Sequence, residues 1–427
     1  MDRQRLRHAD GAGELDDAAI CQSGGDNVLC EIALSIGCRA VEALGDRLRL
    51  TMREDFDISR ARYGCSCALG LASGWPQIDR AGTEMGGHWS NTPATRVWRD
   101  VDRDVFRREI QPLGRPAILR GLVSHWPAVT AGAQAPEELC DLLKAAAGGQ
   151  PVDYFEGAPG LGGRYAYQPD MRGFNFERRK AGLDEILDRL LAARSLPDPP
   201  SIYAGAVNVP RHAPGLLRQH VIPLLEESEE KLVSLWIGNR GRTPAHWDLP
   251  QNLACVIAGR RRFTLFPTEQ VPNLYIGPLD MTLAGQPSSL VDLHDPDFSV
   301  YPKFRDAISA AEIADLEPGD ALYMPSLWIH HVEARDTFGV MMNIWWREGP
   351  PHLVTPFLTM LHALLTLRDL PVREREAWRV LFDHYIFERN GDPFAHLPEH
   401  ARGTFGEMTP ERERLIRDHL LRTLSRT

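Results

Sequence analysis

Thr243-Pro244-Ala245-His246-Trp247-Asp248 sets a histidine and a carboxylate two residues apart, just after the strand-like run Lys231 to Gly238. Positions i and i+2 of a strand face the same side. His246 and Asp248 can therefore reach one metal ion from a rigid base. Two ligands do not close a site. The third candidate lies in Pro325-Ser326-Leu327-Trp328-Ile329-His330-His331-Val332-Glu333. Two histidines and one carboxylate, with positions left open, form the donor set of non-haem Fe(II) sites. Neighbours on a strand face opposite sides, so one of His330 and His331 is the ligand, and spacing alone leaves the choice open. A lone His-x-Asp is commonly a surface hydrogen-bonded pair. Here it follows a buried-looking strand, and a proline–aromatic–histidine strand comes after a Pro-Gly-Asp turn downstream, so the metal reading is preferred.

Working outward, the chain alternates short strand runs with turns. Asn252 to Ile257 and Arg262 to Phe266 flank Ala258-Gly259-Arg260 as a hairpin. Glu317-Pro318-Gly319-Asp320 is a turn, and Ala321 to Pro325, Ile329 to Ala334 and Val340 to Trp346 are further strands. Residues 267–311 read as a long irregular segment. Upstream, Arg115 to Gly121 and Ser201 to Gly205 read as strands, and Ser124 to Ala128 as a turn with an aromatic anchor. Arg99 to Ile110, Pro136 to Ala147, Leu183 to Arg194 and His220 to Glu230 read as helices. Many short strands between turns indicate a sandwich or barrel rather than a βαβ sheet. Beyond Gly349 the pattern becomes helical: Val354 to Leu367, Val372 to Phe387, and a last helix opened by Thr409 as N-cap and Pro410 at N1.

Two further positions bear on the site. In Arg260-Arg261-Arg262-Phe263-Thr264-Leu265, alternation puts Arg261 on the face of Phe263 and Leu265. If that face is interior, a buried guanidinium must be paired, and a bound carboxylate would pair with it in bidentate fashion. The alternative is a basic surface strand. Asn343 shares a face with Met341 and Trp345; its amide needs partners there, either backbone or a ligand carboxylate.

At 427 residues the chain has room for two or three domains, or for one large domain with additions. We divide it into a weakly patterned extension over residues 1–92, a main domain over 93–350, and a helical region over 351–427. One helix is expected over Val28 to Leu50, and an alternative translation start near Met85 would remove the extension altogether. A net charge of −10 argues against a general nucleic-acid or anionic-membrane surface. No apolar run reaches the roughly 18 residues of a membrane span, and no signal core is apparent, so a cytoplasmic location is expected. Seven cysteines, five of them before residue 70, match no zinc spacing. Reduced thiols are expected.

The spaced set Thr243, His246, Asp248, Gln251-Asn252, Gly259, Arg261, Pro318-Gly319-Asp320, Pro325, Trp328, His330-His331-Val332-Glu333 and Asn343-Ile344-Trp345 resembles the cupin-like JmjC branch of the 2-oxoglutarate oxygenases. Within that branch it is similar to the asparaginyl hydroxylases of the hypoxia-inducible factor. The resemblance covers about residues 96–350. It implies a mainly β fold, a double-stranded β-helix (jelly roll), with flanking helices and a C-terminal helical tail. It implies Fe(II), 2-oxoglutarate as cosubstrate and O2, with His246, Asp248 and His330 as iron ligands. Thr243 and Tyr203 would bond the distal carboxylate of 2-oxoglutarate, beside Arg261. Asn252 and Asn343 match positions near the cosubstrate, and Trp345 would wall the site. The similar hydroxylases carry lysine where this chain has Arg261; either cation can hold a carboxylate. The expected activity is hydroxylation of a protein or peptide side chain. The alternatives are a small-molecule hydroxylase, a metal cupin that does not use 2-oxoglutarate, and a non-catalytic sensor. A homodimer through the C-terminal helices is expected, and nucleic acid is a less favoured partner.

Overall fold

Strands rich in β-branched and aromatic residues, broken by glycine and proline turns, build two sheets. The computed structural model describes residues 87–225, 230–350 and 352–425. The expected helix over Val28 to Leu50, nearly all of the proposed extension and the five early cysteines lie outside the described residues.

In chain order the strands are β1 (Val97–Trp98), β2 (Ala117–Leu119), β3 (Val152–Gly157), β4 (Glu177–Ala181), β5 (Ser201–Asn208), β6 (Lys231–Gly238), β7 (Gly241–Trp247), β8 (Gln251–Ala258), β9 (Arg261–Phe266), β10 (Glu312–Leu316), β11 (Ala321–Met324), β12 (Ile329–Ala334) and β13 (Gly339–Trp346). The larger sheet runs β1-β2-β11-β8-β13-β6-β5-β3-β4, and the smaller β10-β9-β12-β7. All the pairings are antiparallel except β1 with β2. This is the double-stranded β-helix that the motif order implies.

The sheets face each other across a core of Ala254, Val256 and Met341 from the larger and Phe263, Leu265 and Val332 from the smaller. Alternation sends Leu253, Cys255 and Ile257 of β8 to the other face, under helices. That explains why β8 reads as an unbroken apolar run: it is buried on both sides. The covering helices are α1 (Pro127–Gln134), α2 (Pro136–Ala145) and α3 (Leu183–Ala193). In α3, Leu183, Ile186, Leu187 and Leu190 recur along one helical face and all are buried. The C-terminal helices are α4 (Pro356–Thr366), α5 (Val372–Tyr385) and α6 (Pro410–Leu424). Thr409 caps α6 by accepting from the Arg412 amide, with Pro410 at N1.

Four local expectations are corrected. The hairpin expected around Gly259 is not formed: β8 and β9 do not pair, because the turn carries the chain from the larger sheet into the smaller. The helix placed at Arg99 begins only at Arg103. Asp100 adopts φ +51°, and Asp102 caps the turn by accepting from the Val105 amide at 2.9 Å. Phe106–Ile110 then widens into a π turn. The segment His220–Leu225 is not helical. Arg103 takes the carbonyls of Pro223 and Leu225, both at 3.0 Å, which a helix would need for itself. The aromatic turn at Trp126 is in fact the N-cap of α1: the Trp126 ring is fully buried, and Pro127 fills N1. No helix among the described residues is long and apolar enough to cross a membrane.

Candidate metal centre

Pairing of β7 with β12 sets His330 opposite His246, with ring centroids 4.4 Å apart. Asp248 lies one residue past the end of β7, where its carbonyl accepts the Leu327 amide at 2.9 Å. One donor atom from each of His246, Asp248 and His330 lies within 4.8 Å of the other two. No other three-ligand group is found among the described residues.

The donor set fits a divalent metal. Nδ1 of His246 lies 2.8 Å from the Pro244 carbonyl, and Nδ1 of His330 lies 3.1 Å from the Trp328 carbonyl. Each therefore carries its proton on Nδ1 and turns an Nε2 lone pair inward. Asp248 Oδ2 accepts from Asn252 Nδ2 at 2.8 Å and from Trp345 Nε1 at 3.2 Å, which leaves Oδ1 free. Burial, reinforced by the neighbouring His246, pushes the His330 pKa down to about 4 against the opposing pull of Asp248. The imidazole is thus neutral, as a ligand must be.

His331 faces the other side of the small sheet. Its Nδ1 lies 3.8 Å from Glu333 Oε1, and its ring lies 6.2 Å from His294. The choice that spacing left open falls to His330.

Thr243 also reaches the inner face, although it stands three residues before His246. His330 pairs with His246 but Val332 pairs with Thr243, so β7 holds one extra residue, a bulge at Pro244 and Ala245. Proline, which cannot donate to a ladder, is placed where none is needed.

Arg261 is interior as alternation predicts: it is 3% exposed, beside buried Phe263 and Leu265. It donates to the Trp236 carbonyl at 3.3 Å, and its Nε has no acceptor. Burial lowers its pKa, and nearby Tyr203 opposes that. The Tyr203 phenol is raised by burial and lowered in part by Arg261 and by a hydrogen bond with Thr243. The three residues named for the distal carboxylate therefore meet. Asn343 Oδ1 and Trp236 Nε1 are likewise buried without partners. A cation and an indole N–H left unpaired in the interior suit an acidic ligand, whereas the Asn343 oxygen awaits a donor.

Asn343 Nδ2 donates to Asn252 Oδ1 at 2.8 Å, and Asn252 passes the contact on to Asp248. The two asparagines form a relay behind the carboxylate. Trp236 was missed from sequence. It packs edge-to-face on Trp345 at 5.9 Å and lies 6.0 Å from Tyr203. Gly205 makes room for it: a Cβ there would stand 2.9 Å from the indole. The registers of β6 on β5 and on β13 bring these residues together, and no local signal marks them. Leu327 was also missed; it holds φ +66°, a strained value for leucine, beside Asp248.

Compared with known proteins, residues 102–352 match the family described as the cupin-like domain. The tRNA wybutosine-synthesizing protein 5 of Danio rerio is 28% identical over 269 residues, 60% of this chain and 75% of that protein. The lysine-specific demethylase JMJ31 of Arabidopsis thaliana is 29% identical over 153 residues, 34% of this chain and 27% of that protein. The human HSPB1-associated protein 1 is 36% identical over 153 residues, 34% of this chain and 30% of that protein.

Proposed function

The chain belongs to the cupin-like domain family, and from that premise we propose that it is an Fe(II)- and 2-oxoglutarate-dependent oxygenase that hydroxylates its substrate. One observation carries the reading. Two inward Nε2 atoms and a free carboxylate oxygen stand in the same interior as a buried, incompletely paired arginine. A metal cupin that does not use 2-oxoglutarate would have no use for that arginine.

His246, Asp248 and His330 would hold the iron. When bound, the metal supplies O2 activation coupled to decarboxylation of 2-oxoglutarate to succinate and CO2. Arg261, Thr243 and Tyr203 would grip the far carboxylate and set the cosubstrate's reach. Asn252, backed by Asn343, fixes which Asp248 oxygen points inward. Trp345 and Trp236 exclude water from one side.

For the substrate we favour a protein or peptide side chain, consistent with the net charge of −10. A tRNA base is the second reading. It is favoured by the extent of the match to the tRNA wybutosine-synthesizing protein 5 of Gallus gallus, 65% of this chain and 89% of that protein.

The test needs no substrate. Purified protein with Fe(II), ascorbate and 2-oxoglutarate is expected to form succinate slowly, and Arg261→Ala and His330→Ala are expected to form none. Absence of both succinate and 2-oxoglutarate binding in the parent protein would end this reading.

The partner expected for the C-terminal helices is a second copy of the chain. None of α4, α5 and α6 has a buried residue, although Leu365 and Trp378 are 82% and 43% exposed. Both α5 and α6 interleave arginine with glutamate and aspartate along their length. A surface of mixed sign complements itself better than it does a singly charged partner.

A further inference from the structure

The end of the barrel away from the metal donors is set by register: Arg261 pairs with Ala334, and Ala334 with Gly241, whereas the metal end lies at Phe266, Ile329 and Trp247. Turns through Gly121, Gly259 and Gly319 meet there, all with left-handed φ. Between them lies a cavity of about 580 Å³ walled by Arg99, Arg120, Arg260, Arg261 and Arg335.

Their local partners do not balance them. Asp320 pairs with Arg120, and Asp336 with Arg260 at 2.6 Å. Asp315 binds Arg262 at 2.7 Å and stands 3.7 Å from Arg335. Glu317 is a fourth carboxylate, the third in the wall itself beside Asp315 and Asp320. Six arginines, the five of the wall plus Arg262, face five carboxylates once Glu333, opposite Arg262 on β12, is counted with the other four, an excess of one positive charge. Arg99 has no partner among the described residues. Arg261, 3% exposed, keeps its Nε unpaired. Like charges held in one cavity repel unless an anion lies between them. Guanidinium forks match phosphate and carboxylate oxygens alike.

We propose that this cavity binds a small multivalent oxyanion between Arg99, Arg335 and Arg261. The site is separate from the metal centre, since none of the triad, Thr243 or Tyr203 lines it. Because Arg261 belongs to both, filling the cavity and binding the cosubstrate are coupled. That consequence alone rests on the 2-oxoglutarate reading.

The test is calorimetric titration of the full chain, free of metal and 2-oxoglutarate, so it stands whatever the activity. One arm uses inorganic pyrophosphate, the other a tricarboxylate. Binding of about one equivalent in at least one arm is expected, weakening as salt rises, and the arm that binds names the source. Arg99→Ala and Arg335→Ala are each expected to weaken it by about tenfold, the loss of one charge-assisted contact. The exposed Arg172→Ala control is expected to leave it unchanged, and thermal melts confirm that the variants are folded. Binding in neither arm, or binding indifferent to Arg99 and Arg335, overturns the proposal.

Discussion

Asn252 donates its side-chain amide to Asp248 Oδ2 at 2.8 Å, and both residues are buried at the head of β8. Asn252→Ala removes that donor and leaves the Asn343 amide without its acceptor. Partners behind a metal ligand are typically worth about 10- to 100-fold in metal affinity. Titration with Co(II), read from its visible spectrum, is expected to show a loss of that size. An unchanged affinity would make the relay a packing feature only.

Arg261→Ala removes the charge that the proposed site offers to the distal carboxylate. A buried, charge-paired contact is worth about 2–5 kcal/mol, so 2-oxoglutarate affinity should fall by well over tenfold. Arg261→Lys keeps the charge but not the fork, and should retain part of it. Binding to the Mn(II)-loaded protein measures both without turnover. Equal affinities in parent and Arg261→Ala would remove Arg261 from the site.

His330 and His331 are neighbours with different fates. His330→Ala is expected to abolish stoichiometric metal binding. His331→Ala should keep it, at a stability cost of about 2–5 kcal/mol for the cavity left by a buried ring. Metal content and thermal melts of both variants separate the roles, and the reverse pattern would reassign the ligand.

His220 makes folding acid-sensitive. Its Nδ1 lies 2.7 Å from the Leu216 carbonyl, and its Nε2 accepts the Ala128 amide at 3.3 Å, so the ring must be neutral. Burial lowers its pKa below the usual 6.5. The unfolded chain then binds the proton more readily, so stability is full above about pH 6.5 and falls as pH drops towards the folded-state value. His220→Gln is expected to flatten the part of the acid limb nearest neutrality. An unchanged limb would mean that other groups set it.

Light scattering on the full chain should give twice 47.9 kDa. Leu365→Arg combined with Trp378→Arg should give one copy with its metal site intact. A monomeric parent would leave the apolar faces of α4 and α5 to another partner.

The sequence by itself determined a candidate donor set and which residues of β9 share a side. Residue types at His246, Asp248 and the His330-His331 pair define that donor set, and strict alternation puts Arg261 on the side of Phe263 and Leu265. Thr409 and Pro410 likewise fixed the start of α6, because capping is a local matter. Only the tertiary structure decided between His330 and His331, let Thr243 share a face with His246 across the Pro244 bulge, and brought Trp236 against Trp345. It also broke the helices expected at Arg99 and His220, since Arg103 claims carbonyls from a segment more than a hundred residues away. The reason is physical. A strand's period says which residues share a side, but which side is inner is set by the partner strand's register, and a single inserted residue reverses it.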